Sequence, residues 1–401
     1  MDRVLILGFG VSGQGVAKLL QAQGKRWVAV DRKETAGASF DHPEFPLDGI
    51  ELVILSPGVA PTHPIVQRAI AAGIEVIGEI EYAFRCMQNR CIGVTGTNGK
   101  TTVTLLTAHL LNQAGIAAKA VGNVGVPLSE ALLTTAPEEI LVIELSSFQL
   151  ETLNSRKLQA AAYLNLTPDH LDRYADLRAY AAAKAGIQRC VVEDGRCFVS
   201  DEVLTEYSDL FLPAPLERLP KAPLLLDLEA IRRGVPEPEN GEAAFLLASL
   251  FGVKDREIKG FQKPPHRIEW VAEIDEVIYL DDSKGTNIDA VVYALKRLPG
   301  PIVLLAGGVD KGASYAPWIK AFEGKVRHLV AYGQAAAKME LELKDFVPFE
   351  RTEKFADAVT LAKAAVRKGE IVLFSPGCSS FDQFQNYAER GKAFQKMIRG
   401  D

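Results

Sequence analysis

Short runs of valine, isoleucine and leucine recur along the chain, separated by stretches whose apolar positions fall at helical spacing. Ten of these runs predict buried strands: "RVLILG", "WVAVD", "ELVILSPG", "CIGVTG", "EILVIEL", "AAYLNLT", "EVIYLDDS", "PIVLLAGG", "HLVAYG" and "EIVLFSPG". A nearly continuous apolar run marks a strand covered on both faces, as parallel strands are between two layers of helices. Strands alternating with helical stretches therefore predict an α/β fold with parallel sheets. Most of the runs end in Gly, Ser, Asp or Thr, and open α/β sheets bind ligands at the carboxyl ends of their strands.

A length of 401 residues exceeds one ordinary core and fits two to four domains. Two polar interruptions predict the boundaries: "RCMQNR" at 85–90, and "KGFQKPPHR" at 259–267, whose Pro-Pro pair cannot continue a helix. The expected domains are 1–88, 89–266 and 267–401. The proline-rich "LPAPLERLPKAPLLL" at 212–226 reads as an irregular connection inside the middle domain.

Composition narrows the classes of function. With 48% hydrophobic and 24% charged residues the chain has the make-up of a soluble globular protein. No apolar run approaches the roughly 18 residues of a membrane span, and the start at "RVLILG" leaves no room for a cleavable leader, so a cytoplasmic protein is expected. The net charge of -6 and the lack of a basic block exclude the footprint that nucleic acid requires. Five scattered cysteines without a Cys-x-x-Cys pair point to buried free thiols.

The strongest chemical signal is Gly93–Thr102, "GVTGTNGKTT". A strand precedes it, and Val103, Leu106, Leu110, Leu111 and Ala114 form a helical stripe after it. Gly96 and Gly99 let backbone N–H groups turn toward a polyphosphate, Lys100 can reach its terminal phosphates and Thr101 can face a magnesium ion. The loop is shorter than the common phosphate loop, because Val94 stands where the first glycine is expected. Downstream, Glu144 ends an apolar strand in "EILVIELSSFQLE", where a carboxylate can serve magnesium or cap a turn. "YLNLTPDHLDRY" places Asp169, His170 and Asp172 after another strand, as metal or phosphate candidates or as helix-capping groups. Lys184 sits among alanines, and its residues alone read as a solvated helix position.

The N-terminal "GFGVSG" sets Gly8, Gly10 and Gly13 between a strand and a helix, with Asp31 ending the next strand: a dinucleotide fingerprint, open to an NAD-dependent oxidoreductase or to any nucleotide diphosphate. Ser56-Pro57-Gly58 is a second turn of the same kind. The last third offers polar strand ends in "DDSKGTN", "GGVDKG" and "SPGCSSFDQFQNY", suited to a small carboxylated substrate or to plain surface loops.

"TGTNGKTT", "GNVGVPL", "ELSSFQLE", "LNLTPDHLDRY", "AAK", "PHRIE", "DDSKGTN" and "SPGCSSFDQF" occur in an order, over nearly the whole chain, that resembles the Mur ligase family, in which the short loop is the normal ATP site. The resemblance implies an N-terminal Rossmann-like domain, a central phosphate-loop ATPase with a mainly parallel sheet, and a C-terminal Rossmann-like domain that closes with the amino acid. "ELSSFQLE" and "SPGCSSFDQF" point to the branch that takes UDP-N-acetylmuramoyl-L-alanine and D-glutamate. It implies that Gly96, Thr97, Asn98, Gly99, Lys100, Thr101 and Thr102 hold ATP, with Asn240, Arg267 and Asp282. Two Mg2+ ions would be served by Thr101, Glu144, His170 and Lys184, the last as a carbamylated lysine; Lys100, His170 and Lys184 would be the catalytic set. Val11, Ser12, Asp31, Arg32, Ser56 and Asn123 match positions around the UDP-substrate, and Thr286, Lys311, Ser380 and Tyr387 those around D-glutamate. The expected state is a cytoplasmic monomer with no nucleic-acid or membrane partner. Three departures stand out: Pro236 and Glu237 replace a usual His-Asn pair, the span from Asp31 to Ser56 is short, and Tyr387 replaces a common phenylalanine.

Overall fold

The computed structural model describes residues 3–33, 35–170, 173–213, 216–221 and 225–400. Two compact units are present: the described residues within 1–166, 170–221 and 240–259 form the first, and those within 167–169, 222–239 and 260–401 the second. Asp172 lies outside the described residues.

The first unit carries two sheets. Strands β1 (Arg3–Leu7), β2 (Trp27–Asp31), β3 (Ser39–Phe40), β4 (Ile50–Leu55) and β5 (Glu75–Gly78) lie in the order β3-β2-β1-β4-β5, all parallel. The order reverses between β1 and β4, which opens a crevice at their carboxyl ends. Strands β6 (Cys91–Thr95), β7 (Ala118–Gly122), β8 (Ile140–Glu144), β9 (Leu158–Tyr163), β10 (Val191–Ser200) and β11 (Leu216–Leu219) form the second, in the order β11-β10-β9-β6-β8-β7. Their pairings are parallel as well. The second sheet is anchored by burial: Ile140, Leu141, Val142 and Ile143 of β8 are all 0% exposed, at about 1.5–3 kcal/mol for each buried side chain. Ile80, Ala83 and Phe84, from the helix Glu79–Cys86, pack into the same core.

The second unit holds β12 (Glu269–Ile274), β13 (Val277–Asp281), β14 (Ile302–Gly307), β15 (Val326–Tyr332), β16 (Phe349–Thr352) and β17 (Ile371–Gly377), in the order β12-β13-β17-β14-β15-β16. Only the edge strand β12 runs antiparallel to its neighbour. Helices cover both faces of its central strands, giving separate buried clusters around Trp318 and Phe374.

All ten predicted runs are strands, so the mixed α/β fold with parallel sheets follows the apolar pattern. The segment at 212–226 corrects one expectation: Leu216–Leu219 extends the second sheet by pairing with Cys197–Ser200 of β10. An edge strand needs only one partner and can carry Glu217 and Arg218 toward water, so its sequence shows no apolar run. Cys91, Cys190, Cys197 and Cys378 are buried and Cys86 is half-buried, all as free thiols. Among the described residues no helix is long and apolar enough to cross a membrane.

Candidate active site

Strand β6 delivers the chain into the turn 96–99 and then directly into the helix Lys100–Gln113. Gly99 takes the left-handed conformation (φ +82°), and a Cβ there would lie 2.6 Å from the side-chain oxygen of Asn240. Both restrictions call for glycine, and the second places Asn240 against the phosphate loop. Lys100 Nζ donates to the carbonyls of Gly96 (2.9 Å) and Thr97 (2.8 Å), which curls its stem over the turn. Asn165, just after β9, braces the loop from the side: it accepts from Asn98 N (2.8 Å), returns its own amide to Asn98 O (3.0 Å), and its main-chain carbonyl accepts from Thr97 N (3.0 Å). Thr101 is half-buried and Thr102 buried.

The neighbouring strand ends supply the rest. Register pairs Val94 of β6 and Gly122 of β7 with Glu144 of β8, so the loop, Glu144 and Asn123 share one edge. Asn123 Nδ2 donates to Glu144 Oε1 at 2.7 Å, while the buried Oε2 has no hydrogen-bond partner among the described residues. Buried carboxylate oxygens are normally satisfied; one left unpaired beside a phosphate loop fits the ligand set of a hard divalent cation. The helix Leu177–Ala185 starts on the side chain of Asp176, which accepts from Ala179 N, and brings Lys184 inward in its last turn. Lys184 is 1% exposed, donates to Gly96 O at 2.7 Å and lies 4.5 Å from the Tyr180 ring. This overturns the solvated reading: alanines on both sides do not reveal which helix face is buried. His170 is exposed, with its ring edge-on to Phe148 (4.9 Å) and Tyr180 (5.9 Å).

At the crevice of the first sheet, Ser56 Oγ donates to Gly8 O (2.6 Å), and a Cβ on Gly13 would lie 2.1 Å from that same carbonyl. The following helix Val11–Ala22 can therefore approach the turn only with glycine there. Asp31 accepts from the backbone N–H of Phe9 (2.5 Å) and of Lys33 (2.8 Å). Val11 and Arg32 are exposed and Ser12 is half-buried, all around this turn.

In the second unit, Asp282 and Thr286 follow β13, Lys311 follows β14, and Ser380 and Tyr387 follow β17, at the carboxyl ends of three adjacent strands. The loops are stitched by Val309 N to Ser379 O (2.9 Å) and Gly377 N to Gly285 O (2.8 Å). The Tyr387 ring lies 4.4 Å from Lys284 Nζ. Arg390, fully buried, donates to Ser283 O (2.9 Å), Ser283 Oγ (3.1 Å) and Cys378 O (3.1 Å), tying two of these loops together. His266 precedes Arg267, and its Nδ1 meets Asp281 Oδ2 at 2.6 Å while Gln395 donates to that oxygen at 2.9 Å. With Glu269 these groups have the make-up of a metal cluster, but their ligand atoms are already spent on one another.

Burial raises the Asp282 carboxyl from 3.8 to about 7, against the lowering effect of a 2.6 Å hydrogen bond from Ser375; Asp281 adds repulsion and Lys263 opposes it. A carboxyl that holds its proton more tightly when folded stabilises the fold below its unfolded value, and that contribution fades as pH rises through about 7. The thermal midpoint of the second unit is expected to fall between about pH 5.5 and about pH 8.5, and Asp282→Asn to flatten that slope. An unchanged slope in the variant would assign the dependence to another group.

Asn165 and Tyr180, which contact the loop and Lys184, Arg390, which ties the loops of the second unit, and Glu151 and Arg173, which pair with each other near His170, were not singled out by the sequence reading. Of these, Asn165 alone had a local signal, as a polar residue directly after an apolar strand.

Residues 94–209 match the model of the Mur ligase middle domain, and residues 266–378 that of the Mur ligase glutamate ligase domain. A UDP-N-acetylmuramoylalanine--D-glutamate ligase of Protochlamydia amoebophila is 40% identical, with 99% of this chain and 98% of the relative covered. The chain belongs to the Mur ligase family. A ligase of the same description from Chlamydia pneumoniae is 35% identical at 99% and 98% coverage. Among solved Mur ligases, the MurF ligase of Thermotoga maritima in complex with ADP superposes with a TM-score of 0.62 at 15% identity, covering 99% of this chain and 95% of that one, a likeness of fold. As a Mur ligase the chain is an ATP-dependent ligase.

Proposed function

We propose that this chain adds D-glutamate to UDP-N-acetylmuramoyl-L-alanine, cleaving ATP to ADP and phosphate, as a cytoplasmic monomer of three domains spanning 1–88, 89–266 and 267–401. Two relatives of that description, at 40% and 35% identity over the full length, support the substrate pair. The geometric observation that carries the reading is the buried, unpaired oxygen of Glu144 at the edge shared by the phosphate loop and Asn123.

In the first step the alanyl carboxylate attacks the γ-phosphorus, the bond to ADP breaks, and an acyl phosphate forms. Two anions must approach, so the reaction needs positive charge aimed at the transferring group. Lys100 and the N-terminus of the helix Lys100–Gln113 supply it within the loop Gly96–Thr102. Thr101, Glu144, His170 and carbamylated Lys184 would hold two Mg2+ ions, which when bound neutralise phosphate charge and polarise the γ-phosphoryl. In the second step the amine of D-glutamate attacks the acyl carbon, phosphate leaves with the C–O electron pair, and the amine loses a proton.

Val11, Ser12, Asp31, Arg32 and Ser56 serve the uridine diphosphate, with Asn123 and His170 toward the muramoyl end. Thr286, Lys311, Ser380 and Tyr387 take the D-glutamate carboxylates; Asn240, Arg267 and Asp282 complete the ATP set. The position of Asn240 against Gly99 supports its assignment in spite of Pro236 and Glu237. Glu237 is itself buried in an ion pair with Lys263, which gives that departure a structural role.

The test is phosphate release from MgATP with UDP-N-acetylmuramoyl-L-alanine, comparing D-glutamate, L-glutamate, L-alanine and no amino acid. Release that requires both the sugar nucleotide and D-glutamate is expected. Equal release with L-alanine would refute the amino-acid assignment, and ATP binding without any release would favour a nucleotide-binding protein that has lost turnover.

A further inference from the structure

His170 adopts a left-handed backbone conformation (φ +55°), which is sparsely populated by residues with a Cβ and persists where the surroundings enforce it. The enforcing parts start in the sequence Ser146–Glu151. Ser146 and Gln149 form a reciprocal capping box that fixes the short helix Ser147–Glu151 directly after β8. That helix presents two groups toward the His170 turn, Phe148 and Glu151.

Glu151 accepts from Arg173 Nη2 (2.7 Å) on one oxygen and from Tyr174 OH (2.5 Å) on the other. The backbone N–H groups of Arg173 and Tyr174 both donate to the carbonyl of His170, at 3.0 Å each. The Arg173 guanidinium lies 4.0 Å over the Phe148 ring, whose edge contacts the imidazole. Arg173 is 17% and Glu151 21% exposed at the side chain, so water screens this pair only in part. One carboxylate thus fastens both residues that hold the strained turn. Glu151, Arg173, Phe148, Ser56 and Pro57 also line one cleft at the carboxyl end of β4.

We infer that Glu151 is a positioning residue of this site, acting through Arg173 and Tyr174 to hold the His170 imidazole in its reactive place. The inference rests on the reading of His170 as a site residue, and it assigns Glu151 no contact with substrate. Loss of the carboxylate removes the shared anchor of Arg173 and Tyr174 and leaves their weaker contacts to Pro57 O and the neighbouring rings, so the turn can relax, and a displacement of about 1 Å at a reacting group can cost about a hundredfold in rate.

The experiment uses the full chain with 13C-labelled histidine. The chain has six histidines, and His170→Gln identifies the His170 ring signal. In Glu151→Ala that signal should move while the other five stay, because the ring leaves its edge-on contacts with Phe148 and Tyr180. In the same variant kcat should fall about tenfold to a hundredfold with KM for ATP unchanged. Glu151→Gln and Tyr174→Phe each remove part of the clamp with little change of shape, and should give smaller shifts in the same direction; they decide the matter should the alanine variant not fold. An unmoved His170 signal overturns the inference, whether or not turnover falls. Because the ring signal is read without turnover, a wild-type protein inactive with D-glutamate would refute the ligase reading and leave the positioning test intact.

Discussion

Lys184→Ala should lose ligation by at least about 10²–10³-fold, the scale seen when one preorganised charge-stabilising group is removed from a reacting centre. The side chain is buried to 1% exposure and bonded to Gly96 O, at the first residue of the phosphate loop. In the proposed carbamylated form it would offer an anionic oxygen to magnesium, which alanine cannot carry; added bicarbonate should therefore not restore turnover. Part of any loss could instead reflect a damaged loop, since the substitution strips a donor from a carbonyl, at about 1–3 kcal/mol. ATP affinity separates the two effects: it should change far less than the rate. Near-normal phosphate release in the variant would remove the carbamate assignment.

Arg390→Ala should be the most damaging change to the fold of the second unit. The guanidinium is fully buried, and it donates to Cys378 O and both oxygens of Ser283, with a longer contact to Tyr332 Oη at 3.5 Å. Removing it leaves two buried carbonyls without donors and a cavity, a loss of roughly 3–5 kcal/mol. That corresponds to a fall of about 10 °C in the midpoint of this unit. Arg390→Lys keeps the charge but cannot reach both loops in the planar fork arrangement, and should fall between the two. A midpoint within about 2 °C of wild type for the alanine variant would mean that water or a relaxed loop satisfies these carbonyls.

The parts of the fold legible in the sequence were those whose burial is two-sided. Strands such as β8 and β14 are covered above and below, so their positions are apolar up to the carboxyl end, where Glu144 closes β8, and the run declares itself. The edge strands do not. β7 (AKAVG) carries Lys119, whose ammonium pairs with Glu139, and β16 (FERT) turns Glu350 and Arg351 outward. Such strands are defined by a neighbour's open hydrogen bonds rather than by their own composition.

The site divides the same way. Lys100, Thr101 and Glu144 were legible because each stands at a fixed offset from an apolar strand. Lys184 was not: its proposed role depends on a helix face packing beneath Gly96, and only likeness to the family pointed to it. Glu151 and Arg390 act through partners 12 or more residues distant, a relation that no local pattern encodes.

The brace from Asn165 bears on how the loop meets a nucleotide. Peptide units that would otherwise have to be ordered on contact, those of Thr97 and Asn98, are already fixed by an amide that follows the adjacent strand. Their conformational entropy is surrendered while the chain folds, so the free energy of phosphate contact goes into affinity rather than into arranging the loop.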